Sequence, residues 1–216
     1  MYFPETEKEF EEYRLHLRSE ASRLVCYVAL YQKLNERRTD RLEEMNLAPA
    51  FFSTVTDALF SAIILWVDKL FDEKGQRGIF DFLAFIENNR SILAIEQLKR
   101  RRNYPDGHWM LDRDEITTEQ INADRERIKN LDCLKSFEIR RDKFHAHFDK
   151  DYFFDRDRLA DEAPIKWGDF KKVIEVLSDI INNYSAAYDG NLFELAPMNV
   201  NDLDFLLDRL HKYNDS

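Results

Sequence analysis

Apolar residues recur along most of this chain at steps of three and four, the spacing that keeps side chains on one face of an α-helix. From about residue 6 to residue 38, Phe10, Tyr13, Leu17, Leu24, Tyr27, Val28, Tyr31 and Leu34 keep that rhythm with no Gly or Pro among them, which predicts one long amphipathic helix. A second helix is predicted over residues 49–71, with Pro49 in its first turn and Phe52, Val55, Leu59, Ile63, Trp66, Val67 and Leu70 apolar. Its densely apolar middle predicts a central position, and Gly75 and Gly78 punctuate its end. Shorter helices are predicted at about residues 80–88 and 91–102, the second stopped by Asn103, Pro105, Asp106 and Gly107.

Thr117 and Gln120 form a capping box, in which each side chain satisfies an amide of the other's turn. A helix is expected from there to near residue 144, burying Ile121, Ile128, Leu131, Leu134 and Phe137. A loop rich in charge and aromatics is expected at about residues 149–165, then a helix over 167–189 and a last short one over about 200–213. No stretch alternates at period two, so the expected fold class is all-α, with residues 1–216 as one domain.

Composition sharpens this picture. Gly and Pro total 5 + 5 = 10, against roughly 26 for average usage at this length, which favours long helices over many short strands. A hydrophobic fraction of 44% with 13% aromatics is too high for a disordered chain. Lys and Arg number 32 against 42 Asp and Glu, a formal net charge of 32 − 42 = −10, which excludes a broadly basic coat for nucleic acid. Cys26 and Cys133 are far apart among apolar positions, the pattern of buried thiols in a reducing compartment. The first residues are acidic, and the longest apolar run, residues 59–67, falls short of the roughly 20 needed to cross a bilayer. The expectation is a cytoplasmic protein without a membrane partner.

Chemistry concentrates in Glu138-Ile139-Arg140-Arg141-Asp142-Lys143-Phe144-His145-Ala146-His147-Phe148-Asp149-Lys150. Three readings compete. One is a charged, solvated helix end whose cations complement the helix dipole. Another is a metal site, since His145-x-His147-x-Asp149 has the spacing at which alternate residues of an extended segment point the same way. On a helix such residues diverge by about 200° and cannot share an ion, and no other ligand cluster is evident, so no metal and no cofactor is expected. The third is phosphodiester chemistry, with an arginine fork for phosphate and a histidine that exchanges a proton near neutral pH. These two suffice for metal-free cleavage of RNA, in which the 2′-hydroxyl attacks its own phosphate; DNA lacks that hydroxyl.

Arg141-Asp142, four further residues and His147 resemble the signature of the HEPN superfamily, an arginine, then four to six residues, the first of them polar, and a histidine. Arg-Asp-Lys-Phe-His-Ala-His-Phe-Asp-Lys is similar to the corresponding stretch of the abortive-infection AbiU-type branch, and so are Trp66-Val-Asp-Lys-Leu-Phe-Asp72 and Ile79-Phe-Asp-Phe-Leu83. The resemblance covers about residues 50–190. It implies a HEPN-like helical bundle that dimerises so that two copies of the motif line one cleft, acting as a metal-independent endoribonuclease in toxin or phage-defence systems. It also implies an antitoxin or a nucleotidyltransferase as candidate partner. Arg141 then maps to the phosphate-binding arginine, Asp142 to the polar neighbour that orients the site, and His147 to the catalytic histidine. Arg140 with either His145 or His147 satisfies the spacing too, so Arg140, His145 and Lys143 stand as auxiliary candidates. Lys99, Arg100, Arg101, Arg102 and Lys150 are candidates for contacting an RNA backbone, and Phe148, Tyr152, Phe153 and Phe154 for stacking on unpaired bases. The alternative to catalysis is a HEPN module that binds a partner protein or a nucleotide.

Overall fold

In the computed structural model, residues 4–146 and 149–214 are described, with no account of the side chains of Pro4, Phe153, Arg156 and Asn214. Among the described residues every regular element is helical: α1 (Pro4–Asp40), α2 (Leu42–Met45), α3 (Pro49–Phe71), α4 (Ile79–Asn88), α5 (Ile95–Arg102), α6 (Thr118–Lys129), α7 (Cys133–Arg140), α8 (Lys150–Phe154), α9 (Arg156–Glu162), α10 (Trp167–Asp189) and α11 (Asp202–Asn214), with short 3₁₀ turns at Arg90–Leu93 and Trp109–Leu111. The all-α expectation holds.

The apolar stripes explain the packing. Phe10, Tyr13, Leu17, Leu24 and Val28 of α1 meet Ile63, Ile64, Val67 and Leu70 of α3, and Val173, Leu177, Ile180, Tyr184 and Tyr188 of α10 complete the main core. Its aromatic centre is built on Phe82 of α4, whose ring lies 5.8 Å from Phe10, 5.4 Å from Tyr13 and 6.1 Å from Tyr184. The buried tyrosine hydroxyls of this core find acceptors: Tyr13 donates to the Gly78 carbonyl at 3.0 Å, Tyr184 to Asp124 at 2.8 Å and Tyr188 to Glu11 at 2.9 Å. A Cβ on Gly78 would lie 2.9 Å from the Leu70 carbonyl oxygen, so only glycine lets the chain turn this tightly out of α3.

A second cluster, Leu34, Met45, Phe52, Leu59, Leu203 and Leu207, seats α11 against the far ends of α1 and α3. Lys33 and Arg37 clamp Asp204, and Arg41 pairs with Asp208, at 2.6 to 2.8 Å. A third, Tyr152, Leu159 and Ala163, is the small core under α8 and α9.

Two expectations are corrected. The helix predicted from residue 117 to 144 is two helices, broken at Asn130–Asp132. Its apolar positions 128, 131, 134 and 137 advance in threes, and each such step rotates the stripe back by about 60°, so one straight helix would carry it half-way round. The break resets the register, leaving Ile128, Cys133 and Phe137 buried while Leu131 and Leu134 are half-buried. Residues 150–162, read as loop, form α8 and α9, each entered through an aspartate: Asp149 accepts from the Asp151 amide and Asp155 from that of Arg158. By length and composition alone α3 could cross a membrane, its most apolar 18-residue window having a mean hydropathy of 1.7. In this fold α3 is a core helix, with Phe52, Leu59, Ile63, Ile64, Val67, Leu70 and Phe71 buried against its neighbours.

Phe82→Ala empties a fully buried aromatic site and is expected to cost about 3–5 kcal/mol in unfolding free energy, read from denaturant titration.

Candidate functional site

The motif residues begin where α7 changes its geometry. After Arg140 the backbone widens into a π-helical turn, Arg141–His145, in which the Ala146 amide donates to the Arg141 carbonyl at 2.8 Å. Such turns insert one extra residue per repeat and re-aim the side chains around them. An ideal α-helix would hold residues 141 and 147 about 120° apart, and the helix departs from that geometry over Arg141–His145. His147 and Phe148 lie outside the described residues.

Helix α3 grips both ends of this turn. Arg141 Nη1 donates to Asp68 Oδ2 at 2.9 Å, and His145 Nδ1 lies 3.0 Å from Ser61 Oγ. Ser61 and Asp68 are seven positions apart, two helical turns, and therefore share one face of α3 to within about 20°. Asp142 Oδ1 lies 2.7 Å from Arg141 Nε, but that N–H is too misaligned to bond to it and has no other acceptor. Side-chain exposure grades the three groups: Asp68 17%, Arg141 25% and Asp142 49%.

The electrostatics follow from this burial. Desolvation raises the Asp68 carboxyl above its ordinary range; the Arg141 charge opposes the rise, while Asp72 and Asp142 add to it. Burial also works against the Arg141 charge, but Asp68 and Asp142 outweigh it and the guanidinium is held charged. Arg141 lines a cleft of about 550 Å³ between the end of α3 and helices α6 and α7, together with Asp68, Asp72, Asp132 and Glu138. Asp68 and Asp72 also line a larger cleft of about 1090 Å³ between α3 and α1.

The other candidate residues divide clearly. Arg140 turns away from the Arg141 cleft: half-buried, it donates from Nε to the Ala163 carbonyl at 2.6 Å and lies over the Phe60 ring, where burial lowers its pKa. Lys143 pairs with Asp149 at 2.8 Å. His145 sits among Phe60 and Phe144, and burial, with the Arg140 charge adding to it, pushes its pKa down to about 4. It is therefore a neutral ring at physiological pH. Lys150 is exposed in the first turn of α8, Tyr152 is buried against Glu162, and Phe154 is exposed.

The basic run is largely engaged within the chain, although only Arg101 lies inside the fold. Arg101 donates to the Tyr188 and Ile92 carbonyls at 2.8 and 2.5 Å and pairs with Glu7 at 2.9 Å. Arg100 also reaches Glu7, at 2.6 Å, Lys99 pairs with Asp106, and Arg102 bonds to Tyr104. This run packs chiefly with α10, whereas the motif turn packs chiefly with α7 and α3. Among the described residues no group of three or more His, Cys, Asp or Glu side chains could hold a metal ion.

Asp68 is the site residue that residue types alone did not reveal. It stood in the sequence inside Trp66–Asp72, but its partner lies 73 positions away, beyond any local pattern.

His145 provides a pH signature. Its pKa is about 4 folded and 6.5 unfolded, so the unfolded chain binds the extra proton between those values and stability falls as pH drops through that window. Discounted for the partial exposure of the ring, the expected loss is about 1–2 kcal/mol at pH 4. His145→Gln is expected to flatten this part of the wild-type Tm–pH curve; identical slopes in the two proteins would contradict it.

Comparison with known proteins closes the description. The family model described as AbiU2, of the HEPN group, matches residues 7–214, taking in the N-terminal helix as well as the motif. No curated protein and no solved structure matches the chain. With nearly its whole length matched and every described element helical, the chain belongs to the AbiU2 family of HEPN proteins.

Proposed function

We propose that this protein is a metal-independent endoribonuclease, acting in the cytoplasm as a homodimeric toxin or abortive-infection effector. The observation that carries the reading is Arg141: a guanidinium held by α3 at the wall of a cleft, on a π-helical turn six positions before a histidine. An arginine anchored on one side keeps its remaining donors in a fixed orientation, which phosphate recognition requires.

The chemistry assigned to these groups is intramolecular transesterification. A base takes the proton of the ribose 2′-hydroxyl, and the oxygen attacks its own phosphorus. The bond from phosphorus to the 5′-oxygen breaks, and that oxygen leaves with a proton. The products are a 2′,3′-cyclic phosphate and a 5′-hydroxyl. Arg141 stabilises the charge that develops on the phosphoryl oxygens. His147 carries one of the two proton transfers, and pairing of two protomers would bring a second histidine for the other. His145, pinned to Ser61 and neutral, supports the turn rather than moving protons.

One observation favours a second reading, a HEPN module that binds without cleaving: Arg141 is already flanked by two carboxylates, and the chain carries a net charge of −10, both of which oppose a polyanion. Cleavage of total RNA and of matched single-stranded DNA in excess EDTA separates the two. RNA-specific cleavage is expected from the wild type. His147→Ala and Arg141→Ala, with helicity verified by circular dichroism, are each expected to reduce kcat by at least about a hundredfold. Unchanged activity in both variants would refute the assignment, and retained partner binding with no cleavage by any form would support the binding module.

A further inference from the structure

Arg141 presents two edges to a phosphate, the Nη1/Nη2 end and the Nε/Nη2 side, and each pairs two parallel N–H groups with two oxygens. A carboxylate lies beside one nitrogen of each edge. Asp68 holds Nη1 at 2.9 Å, and Asp142 lies 2.7 Å from Nε. No acceptor among the described residues takes Nη2. A phosphate that binds across the Nε/Nη2 side must therefore move Asp142 away from Nε.

The two are not equivalent. Asp68 sits in the last turn of α3, its side chain only 17% exposed, and makes an aligned hydrogen bond. Asp142 is 49% exposed, neighbours Arg141 in the chain and leaves Nε, a buried donor, without a true hydrogen bond. A buried N–H lacking an acceptor is destabilising, and an aligned anionic oxygen would remove that cost.

We infer that Asp68 is the permanent positioning residue of Arg141, and that Asp142 is an exchangeable cover which an RNA phosphate displaces to bind across the Nε/Nη2 edge. The inference rests on the ribonuclease reading of the site and assigns its resting state. Asp142 keeps the arginine neutralised while no RNA is present. Displacing it costs little, because a half-exposed carboxylate regains water as it leaves. Losing Asp68 would leave a three-quarters-buried guanidinium unanchored.

The test uses the full chain with two probes: a 2′-O-methyl RNA oligonucleotide, which can bind but lacks the attacking hydroxyl, and the same sequence as unmodified RNA. Asp142→Asn is expected to tighten binding of the 2′-O-methyl oligonucleotide about fivefold and to lower KM in parallel. Asp68→Asn is expected to lower kcat at least about tenfold while KM shifts less than about threefold, and Asp68→Glu to restore part of the loss. Asp142 is exposed, so D142N carries the test even if loss of the Asp68 charge unfolds the chain.

Unchanged or weaker binding in D142N would overturn the inference, and so would an absence of binding by both wild type and D142N. Equal effects of D68N and D142N on KM would also overturn it, since the division of labour would be gone. Binding that tightens in D142N while no form cleaves RNA would leave the arrangement of carboxylates standing and would refute only the ribonuclease reading.

Discussion

The grip of α3 on the π-helical turn is the contact on which the site depends. A π turn is a poor backbone structure by itself, and it persists only where its surroundings over-determine it. Here Ser61 and Asp68, two turns apart on one helix face, take hold of His145 and Arg141, the last and first residues of the turn. The turn is thus bridged to a helix whose own position is set by the apolar seam with α1. Rigidity in the core becomes orientation at the arginine.

This arrangement separates residues that look alike in the sequence. Arg140 and Arg141 are adjacent and both meet the spacing rule, but one turn of backbone sends them to different neighbours. Arg140 donates to the carbonyl of Ala163 and braces the small core under α8 and α9. Arg141 reaches Asp68 and lines a cleft. In the same way, the four cations at the end of α5 form a conspicuous strip in the sequence, yet Arg101 serves as a crosslink that ties α1, the turn after α4 and the end of α10 together. Charge counted along a sequence says little about charge available at a surface.

What could be read from the sequence follows the length of the signal. α1, α3 and α10 each repeat an apolar stripe over many turns, so their existence, extent and burial were legible. The capping box at Thr117 and Gln120 was legible because it is a four-residue device, and both of its hydrogen bonds form. The break between α6 and α7 was not, since Asn130 interrupts a stripe that still looks periodic at steps of three. The helices at residues 150–162 were hidden by charge, because their aspartate entry points resemble a solvated loop. The arginine of the motif was legible by spacing and resemblance, whereas its carboxylate partner on α3 and the low pKa of His145 arise only from tertiary packing.

The central claim, that the Arg141 cleft serves attack by a ribose 2′-hydroxyl, is tested most directly by the substrate itself. An RNA oligonucleotide cleaved at a mapped position is resynthesised with one 2′-deoxynucleotide on the 5′ side of that bond, and products are identified by mass spectrometry in the presence of EDTA. The account requires that cleavage at that bond disappear and that every remaining product carry a 2′,3′-cyclic phosphate or its hydrolysed form opposite a 5′-hydroxyl. Continued cleavage at the deoxy position, or 5′-phosphate ends, would contradict it.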